Sequence, residues 1–200
     1  IAVQVGQLLF QFRHFVDKGL EKPIVHGDIK PSNLVWDAEN ECIGLIDWGS
    51  SVFAQTDASG QFITNNVMDL MSGELQQTNA RLGDVYFIGE EQLNGALSTP
   101  RFDEQGLAST LYALASGQSC RYGSKVITPS SLGLPKMLAD ILTYMLDEDA
   151  TKRRQGGDYF FKHLHVLKNL VFSEDKDTAY TALIPTWVHQ TSQDIETVVY

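Results

Sequence analysis

The chain has 200 residues, 43% apolar and 20% charged, with a formal net charge of −10. That length and composition predict one globular domain able to bury most of its apolar surface. The acidic balance argues against nucleic acid and against an anionic membrane surface, and neither a membrane-spanning apolar run nor a signal peptide is visible.

Val5, Leu8, Leu9, Phe12, Phe15 and Val16 recur at helical spacing and predict a helix over residues 2–18, with Gly19 as its stop. Ile1 already lies within that pattern, so the chain reads as cut from something longer. Pro31 excludes a regular helix interior around it. Asn33–Trp36 and Cys42–Ile46, separated by "DAEN", predict a small hairpin. Residues 50–82 are polar and weakly patterned, as expected of a long functional loop, with only Val67–Leu75 hinting at helix. Leu107, Leu111 and Leu114 predict a helix over 102–117. Pro135 opens another helix, with Leu138, Ile141, Leu142 and Met145 on its apolar face, and Phe160, Leu164, Leu167 and Val171 mark one more. Cys42 and Cys120 lack CxxC spacing and read as reduced thiols of an intracellular, cytoplasmic protein.

The chemistry concentrates in "IVHGDIKPSNLVWDAENECIGLIDWGS", residues 24–50. Asp28 and Asn33 share a turn, and Asp47 follows an apolar run. Hard oxygen donors from two elements, an incomplete set by themselves, suit Mg²⁺ completed by phosphate and water. Lys30 supplies a point charge for a phosphoryl oxygen, and Asp28 a base for a hydroxyl nucleophile. These are the parts that phosphoryl transfer requires. Any one of them alone reads as an ordinary turn residue. The set at fixed spacing does not.

"HGDIKPSNL" resembles the catalytic loop of the protein kinase family, and "DWG" resembles its metal-binding triplet. The resemblance implies that Asp28 is the catalytic base and that Lys30 touches the transferring phosphate of ATP. It implies that Asn33 and Asp47 hold Mg²⁺ and that His26, Trp48 and Gly49 support the site. "VHGD" and "IDWG" also resemble the aminoglycoside and choline phosphotransferases, and Gly27, where most protein kinases carry Arg, leans slightly that way. Downstream, "LGDVYFIGEEQL" resembles the end of a protein-kinase activation segment, with Gly89, Glu90 and Glu91 in place of Ala-Pro-Glu. "DEQGLASTLYALASG", from Asp103, and "MLDEDATKRR", with Arg153, resemble later kinase segments. The family pattern implies a buried Glu91–Arg153 ion pair whose disruption costs about 3–5 kcal/mol. Asp84 stands where serine/threonine kinases carry Thr, so its carboxylate is expected to bridge Lys30 or repel Asp28.

The expectation is therefore a mainly α fold with a small β-hairpin, similar to the C-terminal lobe of a protein kinase, with the N-terminal lobe absent. Residues 1–172 form that lobe: helix 1–19, catalytic loop 26–34, activation segment 47–91 and helical subdomain 102–171. Residues 173–200 are an extension without an assigned role. The implied activity is ATP- and Mg²⁺-dependent serine/threonine phosphorylation of a protein substrate, silent in the isolated chain and requiring the N-terminal lobe or another upstream domain as partner. A pseudokinase scaffold and a small-molecule phosphotransferase are the alternatives.

Overall fold

The computed structural model describes residues 1–63, 83–118 and 127–171. The expectations for Val67–Leu75, Cys120 and the 173–200 extension lie outside them.

Helix α1 spans Ala2–Arg13 and buries Val3, Val5, Gly6 and Leu9. It is shorter than its periodicity predicts. After His14 the chain enters a tight hairpin, β1 (Val16–Asp17) against β2 (Leu20–Glu21). Its two turn residues, Lys18 and Gly19, both have positive φ, which matches the twist of a two-residue hairpin. Phe15 and Val16 thus extend the helical stripe in sequence only, and both are exposed.

Strand β3 (Ile24–Val25) pairs antiparallel with β6 (Val52–Phe53). Between them β4 (Leu34–Asp37) pairs with β5 (Cys42–Leu45), in register Leu34↔Leu45 to Asp37↔Cys42. The expected hairpin is present, but the described residues hold three two-stranded sheets rather than one. The other two have strands of two residues, too short to show alternation in sequence. Single 3₁₀ turns follow Lys30 (Pro31–Asn33) and Asp47 (Trp48–Ser50).

Helix α2 is one turn, Glu90–Leu93. Helix α3, Arg101–Ser116, is buried on every face from Phe102 to Thr110. Leu107 is fully buried, whereas Leu114, its partner in the predicted stripe, is exposed. Helix α4 (Lys136–Met145) follows Pro135 and buries Leu138, Ile141, Leu142 and Met145 as expected. Helix α5 (Ala150–Lys162) begins where the Asp149 carboxylate accepts the Thr151 N–H at 2.7 Å. The single helix expected from Phe160 to Val171 is two: α5 ends at Lys162, capped by His163, and α6 runs from Leu164 to Val171.

The main core joins Val5 and Leu9 of α1, Leu107 and Tyr112 of α3, Leu142 of α4, Phe160 of α5 and Leu167 of α6. Truncating one such leucine to alanine costs about 2–5 kcal/mol. A smaller cluster of Val25, Ala54 and Phe102 ties the β3–β6 pair to the start of α3. The loop between β3 and β4 therefore rests on a helix that is itself fixed in the core.

Candidate active site

A helix buried on all sides must satisfy its polar side chains internally. Two residues of α3 do so on the loop after β3. Asp103, 3% exposed, accepts the backbone N–H of His26 at 2.7 Å and of Gly27 at 2.8 Å, one on each carboxylate oxygen. Thr110 donates its hydroxyl to the Ile29 carbonyl at 3.2 Å. Gly106 lets the two backbones meet, since a Cβ there would lie 2.9 Å from the Ile29 Cβ. Burial pushes the Asp103 carboxyl up to about 7, against the opposing effect of the two backbone donors.

Gly27 has φ +82°, and a Cβ on it would stand 2.8 Å from the Ser50 carbonyl oxygen. The loop needs glycine here for conformation and for space. The Gln92 side chain of α2 donates to the Gly27 carbonyl at 2.7 Å.

These anchors present Asp28. Its Oδ2 lies 2.7 Å from the Lys30 Nζ and accepts the Asn33 Nδ2–H at 3.1 Å. Its Oδ1 accepts the backbone N–H of Asp84 at 2.9 Å. Asn33 Nδ2 also donates to the Asp28 carbonyl at 2.8 Å. The hydrogen bond to Asp28 raises the Lys30 pKa against a burial penalty, and the charges of Asp28, Asp84 and Asp47 add to the rise. The lysine is an ammonium at neutral pH.

His26 is fully buried. Its Nδ1 accepts the Asp28 N–H at 3.3 Å, so the ring proton sits on Nε2, which donates to the Ile46 carbonyl at 3.1 Å. Burial lowers its pKa, opposed by the Ile46 bond and by the charges of Asp28 and Asp47. The ring is neutral and structural. Trp48 meets it edge-on at 4.9 Å between centroids and meets Phe12 at 5.3 Å. Trp48 is nonetheless 43% exposed, so it covers His26 from one side only.

Asp47 caps the second 3₁₀ turn in a left-handed conformation, its Oδ1 accepting the Gly49 N–H at 3.4 Å. Its carboxylate is exposed and acts on Lys30 and His26 through space. Asp28, Lys30 and Asn33 are thus in direct contact, and Asp47 joins them electrostatically. The donor set fits a metal shared with phosphate: Asp47 is open to solvent, and Asn33 spends its Nδ2 on Asp28, which leaves the amide oxygen as a ligand. Among the described residues no group of three or more His, Cys, Asp or Glu is placed to hold a metal ion.

Two expectations are corrected. Asp84 does not bridge Lys30 with its carboxylate. The backbone of Asp84 binds Asp28, and its Oδ1 accepts the Tyr86 N–H at 3.0 Å. Glu91 and Arg153 do form an ion pair, but the pair is only part-buried: the Glu91 side chain is 45% exposed and that of Arg153 is 10% exposed. Arg153 also donates to the carbonyls of Asp147 and Glu148, at 2.9 and 2.8 Å.

Sequence reasoning missed Gln92, Thr110 and the cage around Glu104. That buried carboxylate is held by Arg101 at 2.7 Å and Arg13 at 3.2 Å. None of these follows a local spacing rule.

Comparison with known proteins points the same way. The phosphotransferase enzyme family matches residues 4–55. Serine/threonine-protein kinase Kist of mouse and of human is 41% identical over 59 residues, which is 30% of this chain and 14% of that protein. A receptor-like protein kinase of Arabidopsis thaliana is 32% identical over 121 residues, 60% of this chain and 15% of that protein. The chain therefore spans about one seventh of the length of these relatives. The structure of the Cydia pomonella granulovirus kinase PK-1 superposes with a TM-score of 0.51 at 17% identity, covering 81% of this chain and 57% of that one. That likeness concerns the fold. Among the described residues no helix is long and apolar enough to cross a membrane.

Proposed function

Because the chain belongs to the protein-kinase-like family, we propose that it is the C-terminal lobe of an ATP- and Mg²⁺-dependent serine/threonine protein kinase that works once joined to its N-terminal lobe. The observation that carries this reading is the arrangement at Asp28: one carboxylate oriented by Lys30, Asn33 and the Asp84 backbone, all within 3.1 Å. Asp28 accepts the proton of the incoming hydroxyl. Lys30, already paired to Asp28, holds the transferring phosphoryl group beside that base. Asn33, through its amide oxygen, and Asp47 would hold Mg²⁺, which supplies charge neutralisation to the phosphates. His26 stays neutral and fixes the loop by its two hydrogen bonds. The acceptor is a protein hydroxyl, and neither nucleic acid nor membrane takes part. Val35, Trp36 and Phe53 on the strands around the loop, and Ile46 just after β5, are exposed and suit cover by an N-terminal lobe.

A small-molecule phosphotransferase is the second reading. It is favoured by the phosphotransferase family match over residues 4–55 and by glycine at position 27. Assay of the full-length protein with MgATP against a protein substrate, an aminoglycoside and choline separates the two. The expected result is transfer to protein only, with Asp28→Asn lowering turnover by about 10²–10⁴. Transfer to the small molecules alone would establish the second reading. No transfer at all, with MgATP still bound, would make the protein a pseudokinase.

A further inference from the structure

A cavity of about 290 Å³ lies between the segment after β6, helix α2, the first turns of α3 and the start of α5. None of Asp28, Lys30, Asn33 and Asp47 lines it. Its walls include Ala58, Leu97, Phe102 and Met145, so its interior is largely apolar.

The charges around it are nearly all spent. Glu104 takes Arg13 and Arg101, and Glu91 takes Arg153. Arg101 also reaches Asp158 and the Ala58 carbonyl. The Oδ1 of Asp57 accepts the N–H groups of Ser59 and Gln61 together with the Ser59 hydroxyl. Two donors remain. Gln105 lines the cavity, is 8% exposed, and its Nε2 is buried without a hydrogen-bond partner. Arg154 lines it too, and among the described residues its guanidinium makes no hydrogen bond or ion pair. A buried, unsatisfied amide is costly unless something completes it. One buried free donor and one exposed free cation lining a largely apolar cavity call for an acceptor that carries negative charge on a short apolar body.

We propose that this cavity binds a small aliphatic carboxylate, with Gln105 and Arg154 receiving its oxygens and the walls around Phe102 and Met145 receiving its chain. The size agrees. At a liquid-water share of about 30 Å³ per heavy atom, hexanoate needs on the order of 240 Å³. Such a ligand bridges the segment after β6 to α5, across the Glu91–Arg153 pair.

The probe is hexanoate, titrated into the full-length protein by calorimetry or ligand-detected NMR, with hexylammonium as the counter-probe. Saturable hexanoate binding is expected, weakened about tenfold by Gln105→Leu and by Arg154→Ala, as for loss of one charge-assisted contact. Hexylammonium should not bind. Arg154→Glu should exchange the preference, binding hexylammonium in place of hexanoate. Because Arg154 is exposed, its variants keep the test valid if Gln105→Leu does not fold. Asp28→Asn should leave hexanoate affinity unchanged, so this site and the phosphoryl-transfer reading stand or fall separately. Non-saturating uptake, undiminished affinity in Arg154→Ala, or equal affinity for hexylammonium would overturn the proposal.

Discussion

The backbone N–H of Asp84 lies 2.9 Å from Oδ1 of Asp28, and this bond joins the chain before α2 to the proposed base. Because the donor is backbone, the side chain at 84 can change without breaking it. Asp84→Asn is therefore expected to keep turnover within about tenfold of wild type, against the 10²–10⁴-fold loss expected for Asp28→Asn. It also removes one of the charges that raise the Lys30 pKa. Steady-state kinetics of both variants check this. A loss at Asp84→Asn as large as at Asp28→Asn would mean that the carboxylate itself takes part.

Gly27 stands where most protein kinases carry arginine, and its backbone does not admit that residue. At φ +82°, with the Ser50 carbonyl 2.8 Å from any Cβ, Gly27→Ala and Gly27→Arg both strain the loop. Each is expected to lower stability by about 1–3 kcal/mol. Thermal unfolding reads this directly. An unchanged melting temperature would show that the loop relaxes without cost.

Much of this site was legible because its residues sit at fixed short spacing. His26, Asp28, Lys30 and Asn33 lie on one turn, so sequence order and spatial order coincide there. Asp103 and Arg153 were legible through resemblance alone, since their partners lie 77 and 62 residues away. Gln92 and Glu104 escaped because a buried polar residue on a helix looks, in sequence, like a solvated one. The helix expected over 2–18 overran for a related reason. Phe15 and Val16 keep a helical period although Lys18 and Gly19 turn the chain into a hairpin. Asp84 was flagged by residue type, yet its backbone makes the contact with Asp28, and no residue pattern reports that.

Asp103 gives a pH dependence with a definite sign. Its carboxyl titrates at about 7 in the folded chain, against an ordinary value of 3.8. Between these values the folded state holds a proton that the unfolded state has lost. Stability from this group is therefore complete below about pH 4 and falls as pH rises towards 7, by about 4 kcal/mol in full. Burial raises the Glu104 carboxyl in the same direction. The lowered pKa of His26 works the opposite way, adding stability as pH rises. The difference between wild type and Asp103→Asn isolates the aspartate. Denaturant unfolding at pH 4.5 and 7.5 is expected to show a smaller loss with rising pH in the variant. Parallel pH profiles would mean that Asp103 titrates normally.

The exposure of Glu91 sets the size of the last effect. A fully buried ion pair broken from one side costs about 3–5 kcal/mol, because the surviving charge is stranded. Here Arg153 retains the Asp147 and Glu148 carbonyls when Glu91 is lost, and Glu91 is already 45% exposed. Glu91→Gln is expected to cost about 1–2 kcal/mol, between an exposed pair and a buried charge-assisted bond. Arg153→Ala should cost more, because it also strips a donor from two carbonyls in the turn just before α5. Chemical denaturation of the two variants gives the order. A larger loss for Glu91→Gln than for Arg153→Ala would require the glutamate to hold something besides the arginine.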